Sequence, residues 1–263
     1  MRTAREPVSA ASGACPGARL AVVCAFTLVE LLVVVAVMGI LAALLVPAMT
    51  RSQGSARRIR CVSNLRQLGL AARLYWDENG DQAFRYRRGA TNDGVLYWFG
   101  WLADGREGER AFDITQGALY PFLGGRGIEL CPALNHTLQG FKRKATGAAY
   151  GYGYNLCLSV PLDQPAVNLN RVSQPAGTVL LADAAQVNDF QSPASRDHPM
   201  LEEFYYVSTN RAEATAHFRH GAHANALFCD GHVDRERPAP GSIDQRLPQH
   251  RVGRLRPEVL ALP

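Results

Sequence analysis

Residues 26–48 read FTLVELLVVVAVMGILAALLVPA, and this stretch decides how the rest of the chain is organised. From Leu31 to Ala48 it holds no charged residue over eighteen positions, and the apolar run extends back to Leu20 with only Thr27 and Glu30 interrupting it. A membrane helix needs about 20 predominantly apolar residues, so the segment is long enough to span. A cleavable secretory signal fits poorly, because its apolar region is about 7–15 residues and ends in a small-x-small site. Glu30 is the anomaly. A carboxylate in a membrane segment costs about 2–3 kcal/mol or more near the centre and less near an end, so it calls for headgroup depth, a partner or a purpose.

Phe26, Glu30 and Pro47 stand in one register. Counted from Phe26 as residue one, Glu30 is fifth and Pro47 twenty-second. With Ala25-Phe26-Thr27-Leu28-Val29-Glu30-Leu31-Leu32, the segment resembles the processing site of type IV prepilins and type II secretion pseudopilins. In that family a dedicated peptidase cuts before the Phe and methylates the new amino group. The residue before the cut is usually Gly and here is Ala25. The resemblance implies cleavage and N-methylation at Ala25–Phe26, assembly register at Glu30 and a helix kink at Pro47. It further implies a cytoplasmic amino terminus at a bacterial inner membrane. Its expected partners are the prepilin peptidase, other pilin-like subunits, the secretion or pilus platform and the lipid bilayer. A freed Phe26 amine lying near a neighbour's Glu30 would compensate both charges in low dielectric and penalise wrong registers. Arg2, Arg5 and Arg19 precede the span, as a cytoplasmic end requires, but Arg51, Arg57, Arg58 and Arg60 follow it and argue the other way.

Working outward, Ile59, Val62, Leu65, Leu68, Ala72 and Tyr75 recur every three or four residues and predict an amphipathic continuation of the helix, stopped by Asn79-Gly80-Asp81. A break at Gly54 into two helices is the alternative. Beyond it, glycine, aromatics and short apolar runs predict strands: Leu96–Phe99, the glycine-spaced Tyr150–Tyr154, Thr178–Ala182, and a hairpin from Ala224 through the Cys229-Asp230-Gly231 turn to Asp234. Gln116–Leu123 reads as a short helix ended by Gly124-Gly125. Strands after a long helix, without strand–helix alternation, argue for an α+β fold with an antiparallel sheet. The resemblance implies a pilin-like arrangement in which the long helix packs on that sheet. The expected organisation is a leader at 1–25, a transmembrane helix at 26–48 and its amphipathic continuation at 49–78. A β-rich exported domain at 79–234 and a loosely ordered Pro/Arg-rich tail at 235–263 complete it.

The whole chain of 263 residues is 47% hydrophobic with a net charge of +5, which excludes a mostly disordered chain and a polytopic transporter. Of its 28 basic residues only Lys142 and Lys144 are lysines, and the arginines are scattered, so charge alone makes a poor case for nucleic-acid binding.

His220 and Asp230-Gly231, nine residues apart, resemble the carboxy-terminal His-x9-Asp-Gly signature of a large prepilin-like family. Cys61-Val62-Ser63-Asn64-Leu65-Arg66-Gln67-Leu68-Gly69, Leu130-Cys131-Pro132 and Val179-Leu180-Leu181-Ala182-Asp183 resemble the same family. The signature reads as structural, with His220 bonding the hairpin backbone or Asp230. His217, His220, His223 and His232 lie close enough in sequence to be weak zinc candidates, though their spacing matches no closed Cys/His module. Asp183, Asp189 and Asp197 offer oxygens for calcium, which some pseudopilins carry, without the spacing of a calcium loop. No cofactor is therefore expected. No nucleophile elbow, P-loop or HExxH motif is present, so no catalytic residue is assigned. Without the leader four cysteines remain, and Cys131–Cys157 is the preferred disulfide of an exported domain.

These observations favour a non-enzymatic pilin-like subunit of a type II secretion or type IV pilus-like fibre. The alternatives are a membrane-anchored domain that binds a sugar or other surface ligand without assembling, and a tethered metal-dependent enzyme.

Overall fold

Helix α1 runs from Leu28 to Glu78 without interruption at Pro47 or Gly54. The computed structural model describes residues 27–125, 130–146 and 151–262. The leader, Ala25 and Phe26 therefore lie outside the described residues, as does Tyr150. The chain divides into two units, Met1–Met49 and Thr50–Pro263.

In the first unit every described residue is exposed, including Leu28, Leu44 and Val46. This part of α1 is long and apolar enough to cross a membrane. A helix suits that environment because it satisfies its backbone hydrogen bonds internally.

In the second unit α1 becomes a packed helix. Its buried face is Cys61, Asn64, Leu65, Leu68, Gly69, Ala71, Ala72 and Trp76. The periodicity had placed Ile59 and Tyr75 at its ends; instead Ile59 is exposed and Tyr75 half-buried. The closest approach explains the rotation. A Cβ on Gly69 would lie 3.0 Å from Leu227 Cδ1, so Gly69 turns toward the sheet and Leu70 away. The helix stops where expected. Gly80 takes a left-handed φ of +64° while the Asp81 N–H reaches back to the Trp76 carbonyl at 2.8 Å, closing a Schellman cap.

The principal sheet has five strands, in the spatial order β10 (Tyr206–Val207), β6 (Tyr152–Asn155), β7 (Val179–Asp183), β12 (Ala224–Phe228) and β13 (Val233–Glu236). Beside it stand an antiparallel meander of β1 (Arg87–Thr91), β2 (Gly94–Tyr97), β3 (Gly100–Ala103) and β4 (Phe112–Asp113), and a three-stranded sheet of β5 (Phe141–Lys142), β9 (Met200–Glu202) and β8 (Gln186–Asn188). A two-stranded ribbon pairs β11 (Ala216–His217) with β14 (Val252–Gly253). The α+β class stands, but in place of the one expected antiparallel sheet the described residues form four, two of them mixed: β10 pairs with β6, and β5 with β9, in parallel. Parallel pairs need long connections, which no local pattern records.

The glycine-spaced strand is β6, and its aromatics pack inward. Tyr154 donates its hydroxyl to the Phe84 carbonyl at 2.7 Å. At Gly153 a Cβ would lie 2.7 Å from the Tyr206 carbonyl carbon, so a side chain there would exclude β10. The expected helix at 116–123 resolves into two 3-10 turns, Ile114–Gln116 and Tyr120–Leu123, the second ending at Gly124 with φ +61°.

The tail is the clearest departure. Expected to be loosely ordered, it supplies β14 and buries Val252, Leu255, Val259 and Leu260. Asn155 Nδ2 donates to the Leu260 carbonyl at 2.9 Å. Prolines at Pro248 and Pro257 open 3-10 turns here instead of signalling disorder. Composition counted prolines and arginines but not the four apolar side chains between them.

Candidate functional site

Two features carry chemistry, one in each unit. At the start of α1, the Thr27 N–H donates to Glu30 Oε2 at 2.9 Å, and the Glu30 N–H donates to Thr27 Oγ1 at 3.2 Å. The Thr27 hydroxyl adds a third bond to the same carboxylate at 2.8 Å. This is a reciprocal capping box, which satisfies amide donors that would otherwise be orphaned at the helix start. Glu30 therefore has a local role that needs no neighbouring subunit.

In the second unit, four buried side chains converge: Cys61, Cys131, Asp183 and His220, whose ligand atoms all lie within 4.8 Å of one another. Each comes from a different part of the fold. Cys61 sits on the buried face of α1. Cys131 opens a turn closed by the Leu134 N–H on its carbonyl, and Asn64 Nδ2 of α1 holds the preceding Leu130 carbonyl at 3.1 Å. Asp183 ends β7. His220 follows β11 in a tight turn where its N–H bonds the His223 carbonyl at 3.0 Å and Gly221 takes φ +63°.

The polar contacts are dense. Cys131 Sγ lies 3.3 Å from His220 Nε2, which lies 3.4 Å from Asp183 Oδ2. Cys61 Sγ lies 3.3 Å from Asp183 Oδ1. Arg219 donates to Asp183 Oδ1 at 3.0 and 3.2 Å and also reaches the Gly151 carbonyl, while the Asn225 N–H donates to Asp183 Oδ2 at 2.8 Å. Cys61 Sγ in turn faces two donors, Asn225 Nδ2 at 3.2 Å and the Tyr152 hydroxyl at 3.6 Å. Burial lifts the Asp183 carboxyl above its usual range, with Arg219 only partly offsetting it. Of the two thiols, Cys131 ionises first. Its pairing with Cys61 and the nearby Arg219 guanidinium pull it down against its burial. Cys61, paired with Cys131, buried and beside Asp183, is pushed up.

The sequence-derived candidates distribute differently from expectation. Asp230 does not meet His220. It takes the His232 N–H at 3.0 Å and the His232 ring at 2.6 Å, and Gly231 supplies the turn at φ +94°. Asp230 and Gly231 thus shape the hairpin between β12 and β13, while His220 belongs to the cluster. The other histidines do not converge on it. His217 is buried against Arg219, and burial, with that guanidinium adding to it, drives its ring well below the usual value. His223 is half-buried among Gly221, Arg235 and Arg237, and His232 stacks on Phe228. Asp189 pairs with Arg246 at 2.7 Å, and among the described residues it joins no oxygen cluster with Asp183.

The expected Cys131–Cys157 pairing is not made. Cys157 is a free, half-buried thiol in the 3-10 turn after β6, and Cys131 faces Cys61. Sequence order suggested a bridge within the β-rich region, whereas α1 packs Cys61 against it. Cys61 and Cys131 were not singled out as ligands, and Asp183 only as a calcium oxygen, although a signal existed. The four stretches that resembled one family each contribute one member of the cluster. Compared with protein-family models, curated proteins and solved structures, the chain shows no match in any of the three.

Proposed function

We propose that the protein is a non-enzymatic pilin- or pseudopilin-like subunit. It is processed by a prepilin peptidase at Ala25–Phe26, held in a bacterial inner membrane and assembled into a type II secretion or type IV pilus-like fibre. The observation that carries this reading is the sequence register of Phe26, Glu30 and Pro47, the last two on one uninterrupted helix whose apolar first part is wholly exposed. Eighteen uncharged, unburied residues need lipid or neighbouring helices to cover them. The β-rich unit would then face the periplasm or exterior and hold the specificity for neighbours or cargo.

The test is the amino-terminal sequence and mass of the membrane-extracted chain, made with and without the peptidase. A chain starting at Phe26 and carrying one added methyl group is expected only with the peptidase. An intact Met1 end under both conditions overturns the reading.

The capping box favours one rival, an anchored ligand-binding domain that never assembles, because it accounts for Glu30 without a partner helix. The two readings part at Glu30→Gln, which keeps an acceptor for the Thr27 amide but removes the charge. If Glu30 pairs with a neighbour's amine, Glu30→Gln loses fibre incorporation as completely as Glu30→Ala. If capping is its whole role in an assembling subunit, Glu30→Gln pellets with sheared fibres as wild type does. If neither wild type nor Glu30→Gln pellets, the anchored domain becomes the better account.

A further inference from the structure

We propose that Cys61, Cys131, Asp183 and His220 form a closed binding site for one divalent transition-metal ion, with zinc the best fit. The site clamps the packed part of α1 to the β-rich core.

Donor geometry is the first argument. Zinc binds thiolate sulfur at about 2.3 Å and imidazole nitrogen or carboxylate oxygen at about 2.0–2.2 Å, so the ligand atoms of a tetrahedral site stand about 3.3–3.8 Å apart. Cys131 Sγ to His220 Nε2 is 3.3 Å, His220 Nε2 to Asp183 Oδ2 is 3.4 Å and Cys61 Sγ to Asp183 Oδ1 is 3.3 Å. The two contacts to Asp183 use its two different oxygens; with one ligand atom taken from each residue, all four lie within 4.8 Å of one another. Four side chains from four separate segments thus surround one point, and closing by about 1 Å would bring them to tetrahedral spacing.

Donor chemistry is the second. Two thiolates and an imidazole select a borderline or soft cation, whereas calcium takes an all-oxygen shell. On binding, each thiol passes its proton to solvent and its sulfur lone pair to the ion. Two thiolates and Asp183 then carry three negative charges, which a divalent ion and the buried Arg219 neutralise. The surroundings already suit that state: Asn225 Nδ2 and the Tyr152 hydroxyl aim at Cys61 Sγ, and Arg219 holds Asp183, as outer partners commonly do for metal ligands.

Burial is the third. Cys61, Cys131, Asp183 and His220 are each at most 5% exposed, which leaves no open position for substrate. A closed four-ligand site is structural, whereas catalytic zinc keeps one position for water. The clamp is thus compatible with a subunit that performs no chemistry, and it stands whether or not the chain assembles.

The experiment uses the full chain extracted in detergent, purified without a histidine tag and analysed for metals by mass spectrometry. About one zinc per chain is expected, falling to background in Cys61→Ser and in His220→Ala and unchanged in His223→Ala and His232→Ala. Should the cluster variants fail to fold, the wild-type chain still decides. Exchange into cobalt should produce a thiolate-to-metal charge-transfer band, and Cys61 and Cys131 should resist alkylation until a chelator strips the ion. Metal-free protein, zinc that survives Cys61→Ser, or a Cys61–Cys131 disulfide detected as a two-unit mass loss in unreduced protein would each overturn the proposal.

Discussion

Glu202→Ala should destabilise the β-rich unit by about 3–5 kcal/mol, the usual cost of stripping one partner from a buried ion pair. Glu202 on β9 is fully buried and meets both lysines of the chain. It contacts Lys142 Nζ and lies 3.1 Å from Lys144 Nζ, and Glu107 completes the network from its partly buried position. Lys142 and Lys144 are themselves almost wholly buried, so deleting the carboxylate strips both ammonium groups of a buried counter-charge. Asn188 Nδ2 loses an acceptor at 3.0 Å and Gln186 loses one as well. Urea unfolding of the detergent-held chain reads the effect, and a change below about 1 kcal/mol would show that the network contributes no net stability.

The same carboxylate predicts an acid sensitivity. Burial alone would raise the Glu202 pKa, but Lys144, Asn188 and Lys142 hold it below the ordinary 4.5. A carboxylate depressed on folding contributes stability that is fully present above its unfolded value and is lost as pH falls through the folded one. The wild-type unit should therefore weaken as pH drops below about 4.5. Glu202→Gln, which keeps acceptors but cannot ionise, should flatten its share of that fall.

Truncation after Arg251 should have the larger effect still. It removes Val252, Leu255, Val259 and Leu260, all buried, and the β14 half of the ribbon with β11. At about 1.5–3 kcal/mol for each fully buried aliphatic side chain, the loss is about 6–12 kcal/mol. That is comparable with the whole stability of a typical domain, about 5–15 kcal/mol. Asn155 Nδ2 also loses one of its two buried carbonyl acceptors, keeping only Val179 at 2.8 Å. The truncated chain should lose its cooperative melting transition and be digested rapidly by trypsin. A wild-type melting temperature would mean that the tail only lies on a core able to stand without it.

The lysines show why composition misled. Twenty-six scattered arginines against two lysines form no local pattern, and nothing local marks Lys142 and Lys144 as internal. They are internal because β5 meets β9 in parallel, pairing Lys142 directly with Glu202 sixty residues away. The tail misled for the opposite reason. Its prolines and arginines are real turn and surface signals, but its four core residues are too widely spaced to register as a period.

What the chain's own order of residues determined is what depends on neighbours in sequence. The uncharged run predicted the helix, the three- and four-residue spacing carried it to Asn79-Gly80, and Asp230-Gly231 predicted the hairpin turn between β12 and β13. The Thr27–Glu30 box is likewise local, and its three-residue spacing was there to be read. Tertiary structure decided everything that joins distant segments: the rotation of the α1 face toward Leu227 at Gly69, the parallel pairings, the docking of the tail, and the meeting of Cys61, Cys131, Asp183 and His220. Each of those four residues stood in a recognisable stretch, yet no spacing rule links positions 61, 131, 183 and 220. Hydrophobic burial brings their segments together without regard to sequence distance, and the same burial then obliges the polar groups it traps to satisfy one another.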